Sequence, residues 1–474
     1  MTSVTRSLVR ASQGLQVETT DRYATRPLTA GRWSRVLLGV TLLIAGACSD
    51  DRDDQVASAV IYHDHAVGIT QRMFVDTSRG TVAHSTVPAS PERVLETTIV
   101  YPAQGPSGGE PVAGAPVEAF AAPYPLLVLS HGLGGSVDNL LPLAETLASR
   151  GYVVAVPRFP LTNSTTPGGP LGEDVQNQPA DVSYVIDQVL LESADSGQLL
   201  GESVDPMRIA AGGHSNGAIT TYGLVAHSCC RDRRIGAALI LAGVASPFAG
   251  GEYDLADTPP TMVVHGINDQ LVNYNQSVRT TNELSPPRGF LSFDTADHGS
   301  FLNPAGAAFA VLAPAAADFF DGALRGVGFR WDGLVEYTRP GVSAMYWAAD
   351  EASSTPVPEL PEPETNRQAF LSADTNLVDG QVITVSWTGF LPDETVNVLQ
   401  CNGDLSSAAA GCDIGRAQLF QPSPGGVGSA ELTVYTGAIG NGVCDSDNPC
   451  FVTVNDAALT DEDAILRLPI TFAD

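Results

Sequence analysis

Lysine is absent from this sequence of 474 residues: all 24 basic side chains are Arg. Chemistry that needs a lysine amine is therefore excluded, including phosphate-cradling P-loops, Schiff bases and pyridoxal-dependent catalysis. Positive charge is scarce altogether. The formal net charge is −29, which argues against nucleic-acid binding, because a phosphate backbone demands a basic surface. The same charge keeps the chain soluble and repels anions, so an uncharged or weakly polar substrate is expected. Charged residues make up 16% of the chain and hydrophobic ones 43%, a globular rather than a disordered composition. The length calls for two or three domains. Metal-ligand clusters are also lacking: His63-Asp64-His65 has no third ligand at useful spacing, so neither a metal nor an organic cofactor is expected.

What the N-terminus does have is an export pattern. Arg32 and Arg35 precede the run Val36–Ala47, whose 12 residues are too few to cross a bilayer but suit a signal peptide. Ala45-Gly46-Ala47-Cys48 resembles a bacterial lipoprotein lipobox. The resemblance implies that residues 1–47 are a removed signal, that Cys48 is acylated, and that residues 48–58 are an acidic tether. The expected location is extracytoplasmic, as a cell-envelope lipoprotein anchored at Cys48 or as a secreted protein. Without residues 1–47 the chain keeps 18 Arg against 51 acids, a net charge of −33. The seven cysteines fit an oxidising compartment. Cys401 and Cys412 lie close in sequence, as do Cys444 and Cys450. Cys229 and Cys230 are adjacent, open to a vicinal disulfide or to two thiols.

From residue 124 onward strands and helices alternate. Pro125–Ser130 is a continuous apolar strand, as in a sheet covered on both faces. Leu140–Arg150 has helical spacing and stops at Gly151. Further strands are expected at Val94–Tyr101, Tyr152–Val156, Arg208–Gly212, Ala237–Leu241, Thr261–His265 and Gly289–Phe293, with helices at Ala180–Glu192 and Ala307–Leu324. The alternation predicts an α/β fold with a doubly wound, mainly parallel sheet across residues 59–348. Residues 349–366 are rich in Pro and Glu and read as an extended linker that cannot pack a core. Residues 367–474 show short strands with Gly, Pro, Asn and Asp turns, a small all-β sandwich.

Gly213-His214-Ser215-Asn216-Gly217 sits between an expected strand and an expected helix, Ala218–Ala226. A serine hydroxyl is a poor nucleophile unless it is exposed, oriented and beside a base. A sharp strand-to-helix turn exposes it, and the helix N-terminus favours the developing negative charge. Of the eight histidines, His298 alone comes late, after a strand. Asp269 lies just past the strand Thr261–His265. The order Ser215, Asp269, His298 is that of a hydrolase triad; the competing acid, Asp297, neighbours His298 too closely in sequence. Oxyanion stabilisation requires backbone N–H groups, here assigned to Asn216 and to Leu133 within His131-Gly132-Leu133-Gly134-Gly135.

With these pieces in place, residues 93–325 resemble bacterial α/β-hydrolases grouped with predicted dienelactone hydrolases, platelet-activating-factor acetylhydrolases and cutinase-like polyester hydrolases. The matching segments are Thr97–Pro102, Ser130–Ser136, Gln178–Val182, the elbow, and the Asp269 and His298 segments. The resemblance implies a serine esterase or lipase acting on a small-molecule or polymeric ester, with no obligate protein partner. Dienelactone hydrolases proper use Cys where this chain has Ser215. The cutinase-like enzymes have Met where it has Asn216. Asp379–Val385, Gly389–Pro392, Leu399–Cys401 and the two close Cys pairs resemble neocarzinostatin-type, immunoglobulin-like domains. That resemblance implies the disulfides Cys401–Cys412 and Cys444–Cys450, and an accessory spacer or a substrate-binding module outside the catalytic site. Two rivals to the esterase stand: a non-catalytic binding or adhesion protein on the same scaffold, and a peptidase. A complete triad argues against the first. The short stretch before residue 93 leaves no room for the gating domain of the second.

Overall fold

The computed structural model describes residues 64–473, except 247, 249, 327–330, 362–365, 392–394, 404–410, 421–422, 424–425, 449 and 457–464. The export signal, Cys48 and the tether lie outside the described residues.

Ten strands form one sheet: β1 Ala66–Asp76, β2 Arg93–Ala103, β3 Val112–Ala113, β4 Tyr124–Ser130, β5 Val153–Arg158, β6 Val204–His214, β7 Ile235–Leu241, β8 Thr261–Gly266, β9 Arg288–Phe293 and β10 Ser343–Ala348. Their order is β10-β9-β8-β7-β6-β4-β5-β2-β1-β3. The stretch from β9 to β5 is parallel. β2 and β10 pair antiparallel with its two ends. Helices α1 Leu141–Ser149 and α5 Phe309–Phe320 cover one face. Helices α2 Gln178–Ala194, α3 Asn216–Ala226 and α4 Tyr274–Glu283 cover the other. The apolar runs make this possible. Successive residues of a strand face opposite ways: Leu127 and Leu129 join the core under α1 and α5, whereas Leu126 and Val128 join that under α2. All four are fully buried. The fold is of the α/β-hydrolase type. After β4 the chain adds β5 on one side and β6 on the other, which opens a ligand crevice at the carboxyl ends of β4 and β6.

The linker departs from expectation. It is extended, but it packs. Val357 is buried, and Leu360 joins the core of α4. Asn282 and Asn275 on α4 act as brackets for it. Asn282 Nδ2 donates to Val357 O (3.1 Å) while Val357 N–H donates to Asn282 Oδ1 (2.9 Å). Asn275 does the same for Leu360 at 2.9 and 2.8 Å. A side-chain amide carries the same donor and acceptor as a peptide group, so each Asn pairs with the strap as a neighbouring strand would.

Beyond it lie a three-stranded sheet, β11 Gln368–Leu371, β12 Gln381–Thr388 and β15 Gly428–Val434, and a four-stranded one, β14 Gln418–Phe420, β13 Val396–Asn402, β18 Cys450–Asp456 and β19 Leu466–Ile470. Strict alternation buries Ile383, Val385 and Trp387 of β12 between them. The hairpin β16 Gly437–Ile439 and β17 Gly442–Cys444 completes the described strands. Cys401–Cys412 and Cys444–Cys450 are disulfides, and Cys229–Cys230 form a third.

Candidate active site

Ser215 occupies the turn between β6 and α3 at φ 56° and ψ −119°, a strained left-handed backbone for a non-glycine residue. The flanking glycines explain how it is tolerated. A Cβ at Gly213 would overlap the carbonyl of Gly217, and one at Gly217 would overlap the carbonyl of Ser130. Only hydrogen fits at either place, and the tightness pushes Ser215 out at the end of the strand.

The acid and the base converge from two other strand ends. Asp269 follows β8 and is buried. Its Oδ1 accepts the N–H groups of Leu271 (2.8 Å) and Val272 (2.9 Å). Its Oδ2 accepts His298 Nδ1–H at 2.8 Å. That hydrogen bond directs Nε2 of His298 as the basic nitrogen. Ser215 and His298 line one cleft of about 730 Å³. Asp297 turns away: its Oδ1 accepts Gly299 and Ser300 N–H at 3.1 and 2.9 Å.

Two histidines matter that the sequence did not single out. His265, fully buried at the end of β8, places Nε2 2.9 Å from Asp269 Oδ2 and 3.1 Å from Val272 O. Both neighbours are acceptors, so Nε2 carries the proton and the Asp269 carboxylate receives a second imidazole bond. Burial pushes the Asp269 carboxyl up, but the bonds from His265 and His298 outweigh it and hold the group well below the usual carboxylate range,. His214, within the elbow, bonds through Nε2 to the carbonyl of His298 at 2.6 Å. Burial and the nearby His298 ring draw its pKa down to about 4. It is therefore uncharged at neutral pH and does not repel a cationic His298. The signal for both was adjacency to the motifs, but their roles depend on a shared oxygen and a carbonyl that only folding supplies.

The glycine loop after β4 lies against Ser215: a Cβ at Gly132 would stand 3.1 Å from Ser215 Cβ. Buried His131 braces it, donating from Nδ1 to Gly132 O (2.8 Å) and accepting Phe159 N–H at Nε2 (3.2 Å). Gly134 and Gly135 N–H are taken by Thr162 O (2.7 Å) and Gly132 O (2.9 Å). Among the described residues Leu133 N–H has no such acceptor, and Leu133 lines the cleft. Asn216 begins α3, where a backbone N–H has no acceptor within the helix,. Gln178 links the two parts, donating to Thr162 Oγ1 at 2.7 Å and accepting from Thr220 of α3. Nearby, buried Arg93 is clasped by Asp174 and Asp181, at 2.8 and 2.6 Å from Nη2, which fixes the start of β2 to that of α2.

His227, Cys229 and Cys230 bring ligand atoms within 4.8 Å of one another, but the two sulfurs are bonded to each other. His65 of the His63-Asp64-His65 segment donates its N–H to Ser149 O at 2.8 Å.

Residues 370–472 match the Neocarzinostatin family. Residues 109–160, which carry β4 and the glycine loop, match the family of platelet-activating factor acetylhydrolase, isoform II. Among solved structures, a ferulic acid esterase from Streptomyces cinnamoneus is similar at 24% identity and a TM-score of 0.43, over 55% of this chain and 91% of that one. No curated protein matches the chain. Residues 370–472 are thus neocarzinostatin-like, and the likeness to platelet-activating factor acetylhydrolase, isoform II, covers residues 109–160.

Proposed function

We propose that this protein hydrolyses carboxylic esters through an acyl-enzyme on Ser215. The observation that supports it most is the 2.8 Å bond from His298 to a buried Asp269, placed in one cleft with an elbow serine. In this reading Ser215 Oγ attacks the ester carbonyl carbon while His298 Nε2 takes its proton. The carbonyl oxygen becomes an oxyanion, held by the N–H groups of Leu133 and Asn216. The intermediate collapses, the C–O bond breaks, and His298 returns the proton to the departing alcohol. Water, deprotonated by His298, then attacks the acyl carbon; the bond from that carbon to Ser215 Oγ breaks, His298 returns the proton to Oγ, and the acid leaves. Asp269 stays ionised throughout and fixes the imidazole. No step calls for a metal or an organic cofactor. The reaction would take place outside the cytoplasm, where three disulfides persist,.

Ser215→Ala should abolish both p-nitrophenyl ester turnover and labelling by a fluorophosphonate, with unchanged folding. Turnover equal to wild type in that variant rules the assignment out. A wild-type protein that neither cleaves esters nor takes the label is the binding protein of the rival reading.

A further inference from the structure

The C-terminal domain reaches the cleft. Leu419 of β14 lines it together with Leu133 of the oxyanion loop, Leu271 of the acid loop, and Leu302. Three of these four leucines stand open to solvent: Leu133 at 38%, Leu271 at 39% and Leu419 at 53% of full exposure. Exposed leucines that gather on one rim from three separate segments are unlike the scattered apolar residues of an ordinary surface.

The contacts that seat the domain fall on the same loops. Gly172, before α2, faces Ile414: a Cβ there would lie 3.2 Å from Ile414 Cγ2 and 3.8 Å from Leu133 Cδ2. Thr395 Oγ1 donates to Gln270 Oε1 at 3.3 Å, and Gln270 stands between Asp269 and Leu271 in the chain. The neocarzinostatin-like domain therefore abuts the loop of the triad acid and the Gly172 segment that packs beside Leu133, and shares the cleft with Leu133 through Leu419.

We propose that this domain completes the substrate site, with Leu419 a specificity residue for the apolar acyl chain of an uncharged ester. The inference rests on the ester-hydrolase reading. A chain extending from an acyl group on Ser215 passes between the leucines of the rim and removes them from water as it binds. On this reading a short acetyl group does not depend on Leu419, whereas an octanoyl chain, which extends further from Ser215, does. A carboxylate in the chain would be disfavoured by the net negative surface as well as by the leucines.

The test is made on the full-length protein with p-nitrophenyl acetate and p-nitrophenyl octanoate, comparing wild type with Leu419→Ser and Leu419→Asp. The octanoate-to-acetate ratio of kcat/KM should fall about fivefold in Leu419→Ser, chiefly through KM for octanoate, and further in Leu419→Asp. Val382→Ser, on an exposed position of the other sheet of the same domain, should keep the wild-type ratio. A ratio unchanged in both Leu419 variants, with wild type and variants cleaving both esters, overturns the inference and leaves the Ser215 reading intact. Loss of the ratio in Val382→Ser as well overturns it too, since the effect would not be local. A wild type that cleaves neither ester and resists the fluorophosphonate overturns the function itself and the inference with it.

Discussion

His265 shows how much of a triad's order comes from a residue outside it. Its Nε2–H reaches the oxygen of Asp269 that also receives His298. Two imidazoles on one oxygen, with two backbone N–H groups on the other, leave the carboxylate no freedom to turn. A hydrogen bond to a charged group is worth roughly 1.5–3 kcal/mol. If His265→Asn loses that bond, His298 is less well held and kcat should fall about tenfold or more. KM for the same ester should stay within about twofold, because His265 does not line the cleft. A variant in which KM rises while kcat holds would assign His265 to the architecture of the pocket instead. That Ser215, Asp269 and His298 come together was legible, because each follows a readable strand and their chain order is that of the fold. His265 was not, since nothing in a strand-ending His announces that its ring will share an oxygen with the residue four places on.

The strands and helices divide on the same line. Apart from β3 and α4, those between residues 93 and 293 were readable because a strand buried on both faces is an unbroken apolar run, and their ends differ from expectation by a few residues. β1, β10 and α4 were not. β1 mixes Thr70, Gln71 and Arg72 with apolar residues, and its pairing with β2 along all 11 residues sets its place. The sequence of α4, Tyr-Asn-Gln-Ser-Val-Arg-Thr-Thr-Asn-Glu, has few strong helix formers and owes its position to β8, β9 and the strap. The strap was misread for a physical reason: proline-rich sequence cannot form a core of its own, but Asn275 and Asn282, more than seventy residues earlier, supply the backbone partners it lacks. Asn282→Ala removes two of these bonds, at a cost of about 1–2 kcal/mol. Limited proteolysis should then cut between Ser354 and Leu360 about tenfold faster than in wild type. Equal rates would show that Val357 and Leu360 hold the strap by burial alone.

At the scale of the whole molecule, the α/β domain and the tail are stabilised by different means, and a reductant separates them. The ten-stranded sheet carries two large cores, one on each face, and its triad contains no cysteine. Among the described residues the tail has a smaller main core and a minor cluster around Cys401 and Cys412, clamped by Cys401–Cys412 and Cys444–Cys450, with sequence separations of 11 and 6. In the chain-entropy model loops of that size contribute roughly 2–3 kcal/mol each, a large part of the stability of a small domain. Reduction should therefore unfold the tail first. Cys401–Cys412 also closes the segment just before Ile414 and β14, so the rim at Leu419 goes with it. Turnover of p-nitrophenyl acetate should survive dithiothreitol, whereas the preference for octanoate should drop towards that of Leu419→Ser. The third disulfide, Cys229–Cys230, is reduced in the same experiment, and it follows α3 directly. A double variant, Cys229→Ser with Cys230→Ser, assayed without reductant, isolates its effect. If acetate turnover disappears with the tail, and the double variant alone retains it, the neocarzinostatin-like domain supports the triad itself rather than only the far end of the substrate.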